Sequence, residues 1–515
     1  MLNERRFMTV SPLMLNAVRL VSWLFVLLAM LNALYFVLRA SSPVIQADSW
    51  WFLDVFVRKA IDGNLGFADF FIKRGGGDHA QPLFKLVLLL EWRYFDLDFV
   101  VGAVFGVIAV AACAAVLHRV VLAQCSHDGS RSVRYLAWAA MCALLFSLNS
   151  LDPWTWPLVA LENITTLVIL LFMLAVWYAH RRQRYVLLAI ATLVLGISSD
   201  DSALIAVLAV VLALLLAAFA DPAQRGRSLW KTLAVIGACM LLVRIGYAHA
   251  PGAGGASLLV SQLKLLPGRF LEGGWWQWLL WPLVLPVSYH NPFPSVQAHI
   301  WFGIQVVLGV LLLIAHVLFW RRAFRGPYDR PVFVAVGLML LSYGWVVGIL
   351  LGRVAVFGND YLVQPRYVLL YAGHLIALLL MWVGSSNEAP RVGWWRHAIG
   401  TGVSVMGCLL LLAVQIPLST NAWHMRPYEW DYYAKMAGQI DALARDPVHD
   451  THCEMVPMCG GTPEQRRDLT QLLSENRLNI YSPQVQHWHH YLPTLSPVPA
   501  ITKSDIENPT KVKPD

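Results

Sequence analysis

Eleven apolar runs of near-membrane length are the strongest constraint on what this chain can fold into. They fall at about 20–38, 99–117, 135–150, 163–179, 185–199, 202–220, 230–248, 300–320, 332–352, 367–384 and 398–418. A helix needs about 20 apolar residues to cross the hydrocarbon core of a bilayer. The runs show no period-2 alternation, so helices rather than barrel strands are the expected spanning form. Composition agrees: 58% of the residues are hydrophobic and 14% charged, against about 45–50% and about 25% in soluble domains. The sequence therefore predicts an all-α polytopic membrane protein with about 11 transmembrane helices. The first run has no small-residue cleavage site and is long enough to anchor, so it is read as a span and not as a signal peptide.

The distribution of Lys and Arg predicts an orientation. With the N-terminus inside, the short inside segments carry 18 basic residues, from Arg5 and Arg6 through Arg321 and Arg322 to Arg391 and Arg396. The opposite loops carry 11, seven of them in one long loop. The net charge of +8 is thereby explained as a topology signal. No basic stripe suited to nucleic acid is present, so no nucleic-acid partner is expected. The expected location is a bacterial inner membrane, with a cytoplasmic N-terminus and a periplasmic C-terminus. Residues 1–418 form the membrane domain, and 419–515 an outer tail with a disordered end of about 20 residues.

The chemistry is expected on the outer face, where the long segments lie: 39–98, 249–299 and the tail. In the first loop, Trp50 to Ile61 carries apolar residues at helical spacing, with Arg58 and Lys59 opposite. This predicts an interfacial helix. A hinge at Gly75–Gly77 follows, then a second short apolar helix at 83–90. Asp78 and His79 at that hinge are candidates for proton transfer or acceptor binding, or simply a solvated pair. Asp152 is a candidate in the loop NSLDPWTWPLVALEN, which also reads as an interfacial turn. Asp200 and Asp201 interrupt an apolar stretch from 185 to 220, as cavity carboxylates or as the marks of a tight turn. Trp275, Trp276, Trp278 and Trp281 read as a belt or a lipid groove.

Beyond the first loop, basic residues are scarce in the outer loops. Arg353 and Arg366 bracket the loop GRVAVFGNDYLVQPR, and Arg366-Tyr367 opens a span. Arginine suits bidentate phosphate binding, so Arg353, Arg366, Tyr367 and, in the first loop, Lys85 are the candidate phosphate-binding set. Snorkelling to lipid headgroups is the alternative. The seven cysteines form no metal pattern. Cys453 and Cys459, both in the tail, are an expected disulfide in an oxidising compartment. The string HWHH at 487–490 reads as an interfacial patch rather than a metal site. No cofactor is assigned, and a divalent metal is left open.

The order of elements in the first loop resembles the GT-C superfamily of integral-membrane glycosyltransferases. The matching residues are Asp48 with Trp51 just past the first span, then Ala60 and Gly63, then HAQPLF at 79–84, then the span from Phe95. Two departures stand out. Ser49 replaces the second member of the family's acidic pair, and Ala80-Gln81 interrupts its His-Pro-Pro string. The resemblance covers about 40–200. It implies transfer of a sugar from a polyprenyl-phosphate donor to an envelope glycan or lipid acceptor, with Asp48 as the general base. Asp48 also precedes an apolar helix, where Asp is a favoured N-cap, and both roles stay open. The alternatives are an O-antigen polymerase or ligase, and a lipid-linked-glycan flippase or transporter. The inverted repeats common in transporters are not found.

Overall fold

The computed structural model describes residues 12–73, 80–122, 128–199, 201–222, 225–248, 256–272, 274–289, 296–385, 394–446 and 462–498. Every regular element among them is helical. Nine of these helices are long and apolar enough to cross a membrane. All eleven predicted runs lie on helices, but two of those helices are not among the nine. Asp128–Leu145 carries too many charges, and Tyr185–Ser199 is short.

Close approach of backbones holds the bundle together. Arg330–Ile349 packs along both Pro365–Ser385 and Asp201–Ala220. A Cβ at Gly373 would stand 2.6 Å from Ser342 Oγ, and one at Gly344 2.5 Å from Ile205 Cγ2. Without a hydrophobic drive between helices in lipid, such small residues let helices meet by packing. The core of this bundle includes Trp138, Trp154, Phe172 and Phe333, all essentially inaccessible.

The first predicted interfacial helix forms as three contiguous turns, Ser49–Phe52, Leu53–Val57 and Arg58–Ile61, the middle one π-helical. The second is Pro82–Phe95, with proline at its first turn where its missing N–H costs nothing. The tail departs from expectation in one respect. No helix boundary falls at 418–419, because a single helix runs from Trp394 to Arg445 through Pro417 and Pro427. Proline normally reads as a helix end, yet the helix continues past both. A capping box forms at Thr462: Thr462 Oγ1 accepts from Gln465 N at 3.3 Å, and Gln465 Oε1 accepts from Thr462 N at 3.1 Å.

The tail and the first loop share one apolar core, separate from that of the bundle. Phe52, Phe56, Leu88 and Phe99 from the loop meet Tyr433, Ile440, Leu473, Tyr481 and Val485 from the tail. Asn479 is the polar junction. Its Nδ2 donates to the carbonyls of Pro43 (2.8 Å) and Leu97 (2.7 Å), and its Oδ1 accepts from Ile45 N (3.1 Å). Asp98 is a second tie. Its Oδ1 accepts from Val100 N at the start of the Val100–Leu122 helix, and its Oδ2 lies 2.9 Å from His489 Nε2.

Glu91 lies at the seam between this module and the bundle. Its Oε1 accepts from Gly102 N at 2.8 Å, while Oε2 has no partner among the described residues. Burial pushes its carboxyl well above the ordinary glutamate range, helped by the charge of Asp98 and opposed by the Gly102 N–H. A raised folded-state pKa means the stability contribution is full below the unfolded value of about 4.3. It is then lost as pH rises through the folded value. Glu91→Gln should therefore be more stable than the parent at pH 7.5 and close to it near pH 4. Thermal unfolding in detergent across that range checks this. Parallel curves for the two proteins would show that Glu91 is ionised in the folded state.

Candidate functional site

Arg366 is the second residue of Pro365–Ser385, and the loop before that span positions it. Ser150 Oγ donates to the Pro365 carbonyl (3.2 Å) and accepts from Leu369 N (3.0 Å), which binds the 146–151 turn to this helix start. The next residue pair, Leu151–Asp152, opens the short helix Asp152–Thr155. The Asp152 carboxylate lies near the Arg366 backbone N–H. That N–H belongs to the first turn of a helix, where backbone donors are unpaired and negative charge is favoured.

Three aromatic rings surround the Arg366 guanidinium. Its Cζ lies 5.9 Å from the ring centre of Trp156, 5.3 Å from Tyr361 and 5.1 Å from Tyr367. It faces the carboxylates of Asp152 and Glu162. Arg353, in the π-helical turn Leu350–Val354, approaches the same Tyr367. Glu429, from the Trp394–Arg445 helix, lies against the Tyr433 phenol and close enough to Asp152 to feel its charge.

Three buried polar atoms here have no hydrogen-bond partner among the described residues: Trp156 Nε1, Glu162 Oε2 and Arg366 Nε. Buried polar groups are rarely left unsatisfied, and such exceptions call for an explanation. Two donors and one acceptor unsatisfied around a single guanidinium match a site that completes its bonding with a polar ligand. Burial also raises the Asp152 carboxyl above the ordinary aspartate range, against the opposing pull of the Arg366 charge and N–H. That makes Asp152 a better base than a solvated aspartate.

The structure brings together four of the predicted site residues: Asp152, Arg353, Arg366 and Tyr367. Asp48 stands on the neighbouring entry to the first loop. It is half-buried at the head of Ser49–Phe52, and its side chain does not cap that helix. The same entry is joined to the site loop by Ser42 N donating to the Thr155 carbonyl at 2.9 Å. Lys85 is a correction. Its ammonium donates to the carbonyls of Asp69 (2.9 Å), Phe70 (3.0 Å) and Ile72 (2.7 Å), and the side chain is fully buried. With all three protons committed to the end of a 3-10 turn, it is a structural tie and not a phosphate ligand. Asp78, His79, Asp200, Cys453 and Cys459 lie outside the described residues. Asp201 begins Asp201–Ala220, and its side chain is also outside them.

Reading the sequence missed Glu162, Trp156, Tyr361 and Glu429 as site members. Glu162 had a signal, since it and Asp152 are the only charges in their loop. Glu429 had none, because the two prolines in its helix hid its distance from the membrane. Comparison of the chain with protein families, characterised proteins and solved structures finds no match. Among the described residues no group of three or more His, Cys, Asp or Glu side chains is arranged to hold a metal ion.

Proposed function

We propose that this protein is a membrane glycosyltransferase of the GT-C type, moving a sugar from a polyprenyl-phosphate donor to an envelope glycan or lipid acceptor. The observation that carries the reading is the Arg366 cluster: a guanidinium, flanked by Arg353 and by carboxylates, with unsatisfied buried donors beside it. Positive charge and N–H donors fixed around a leaving phosphate stabilise the charge that develops as the glycosidic bond breaks. A carboxylate that takes the proton from the acceptor hydroxyl completes the displacement. Asp48 is the base that the family resemblance implies, and Asp152, beside the Arg366 helix start, is a second candidate. The apolar helix faces around the site suit a polyprenyl chain. On this reading the 128–145 and 185–199 helices also cross the membrane. That gives eleven spans in a bacterial inner membrane, with the N-terminus cytoplasmic and the first loop and tail periplasmic.

The test is a transfer assay with polyprenyl-phosphate sugars on the purified full-length protein. Asp48→Asn should lower turnover by at least about 100-fold, the lower range for a positioned acid or base, with its melting temperature unchanged. Full activity in Asp48→Asn together with collapse in Asp152→Asn would move the base role to Asp152. Transport of labelled lipid-linked glycan without any transfer would sink the enzyme reading.

A further inference from the structure

A second cationic feature lies where the first and last spanning helices meet. Arg39 is in the last turn of Pro12–Ala40, and Arg426 is in the long Trp394–Arg445 helix. Both converge on one aromatic pair, Tyr35 and Trp423, whose ring centres are 5.3 Å apart. Arg39 Cζ lies 5.8 Å from the Tyr35 ring centre. Arg426 Cζ lies 5.5 Å from that of Trp423 and 4.6 Å from that of Trp430. Trp430 in turn donates its indole N–H to the Arg39 carbonyl at 2.6 Å, and Trp423 donates to Asn32 Oδ1 at 3.0 Å. The two guanidiniums thus flank one aromatic pair, at the junction of the first and last spanning helices.

Neither arginine has a carboxylate partner among the described residues, and the buried Nε of Arg426 has no hydrogen bond. Guanidinium forks match phosphate oxygens bidentately. The surface beside them is apolar and open: Tyr35, Leu38, Met425 and Tyr428 are all exposed. Exposed aromatics beside arginines at the end of spanning helices are the setting of a lipid headgroup region.

We propose that Arg39 and Arg426 form a binding site for the phosphodiester headgroup of an anionic glycerophospholipid, its acyl chains lying along the exposed faces of the first and last spans. Charge complementarity selects the headgroup, and the apolar faces select a lipid over free phosphate. The inference stands whether or not the Arg366 cluster transfers sugar.

Native mass spectrometry of the full-length protein, titrated with phosphatidylglycerol, phosphatidylcholine or inorganic phosphate, tests it. Phosphatidylglycerol should bind at least tenfold more tightly than phosphatidylcholine. The R39Q/R426Q double variant should lose that preference, and inorganic phosphate should leave no adduct. Equal phosphatidylglycerol binding in the double variant overturns the proposal, and so does an arginine-dependent adduct with phosphate alone. If the double variant does not fold, the wild-type protein decides: phosphatidylglycerol nanodiscs should raise its melting temperature above phosphatidylcholine nanodiscs, and equal values overturn the site.

Discussion

On the proposed function, replacing Arg366 by alanine is expected to cut sugar transfer by about 100- to 1000-fold, the loss seen when one fixed donor to a developing anion is removed. The effect should fall mainly on kcat, because the charge on the phosphate grows as the bond to the sugar breaks. Arg366→Lys should restore only part of the rate. Lysine keeps the charge but loses the planar fork and the contact with the Trp156, Tyr361 and Tyr367 rings. Kinetics of both variants with a polyprenyl-phosphate sugar, alongside their melting temperatures, provide the check. A rate within twofold of the parent in a folded Arg366→Ala protein would remove this residue from the site. A fall in KM-dependent terms alone would assign it to ground-state binding.

Asn479→Ala is expected to be the most destabilising single change outside the membrane bundle, at about 3–5 kcal/mol. The side chain is fully buried and makes three hydrogen bonds. Each net bond contributes about 1 kcal/mol, and each buried partner left unsatisfied costs about 1–3 kcal/mol more. The partners here are two carbonyls and one N–H from the loop, none of which can turn to water. The backbone adds to the effect, since Asn479 has φ +53°. Asparagine tolerates the left-handed region better than alanine. Limited proteolysis and thermal unfolding should show the tail and first loop opening together, while the bundle stays protected. A melting temperature within about 2 °C of the parent, a difference of well under 1 kcal/mol for a domain of this kind, would show that the junction carries little.

The helical class and nine of the eleven apolar runs were legible because apolar length is a local property of the sequence. The capping box at Thr462 is local in the same sense, since its partners are three residues apart. The proximity of Arg353, Arg366 and Tyr367 was legible because the two arginines bracket one short loop. What escaped was anything set by chain-distant packing. Lys85 looked like a phosphate ligand, since a sequence shows a charge but not the three carbonyls that engage it. Glu162 and Glu429 became site members only when a loop and the far end of a 52-residue helix were brought to one helix start. The core that takes in the tail's few apolar residues was not legible either. Half of that core is supplied by the first loop.

The pairing of Ile45 with Asn479 joins residues 434 positions apart, and this bears on how the protein is made. Contacts of such sequence separation form late and slowly. A chain grows at about 5–20 residues per second, so the first loop must wait tens of seconds for its partner to be synthesised. Throughout that interval Phe52, Phe56 and Leu88 lack half of the core that buries them. Loss of residues 462–498 would thus leave the first loop without much of the core that buries it. A stop codon before residue 462 should behave as a folding lesion of the first loop.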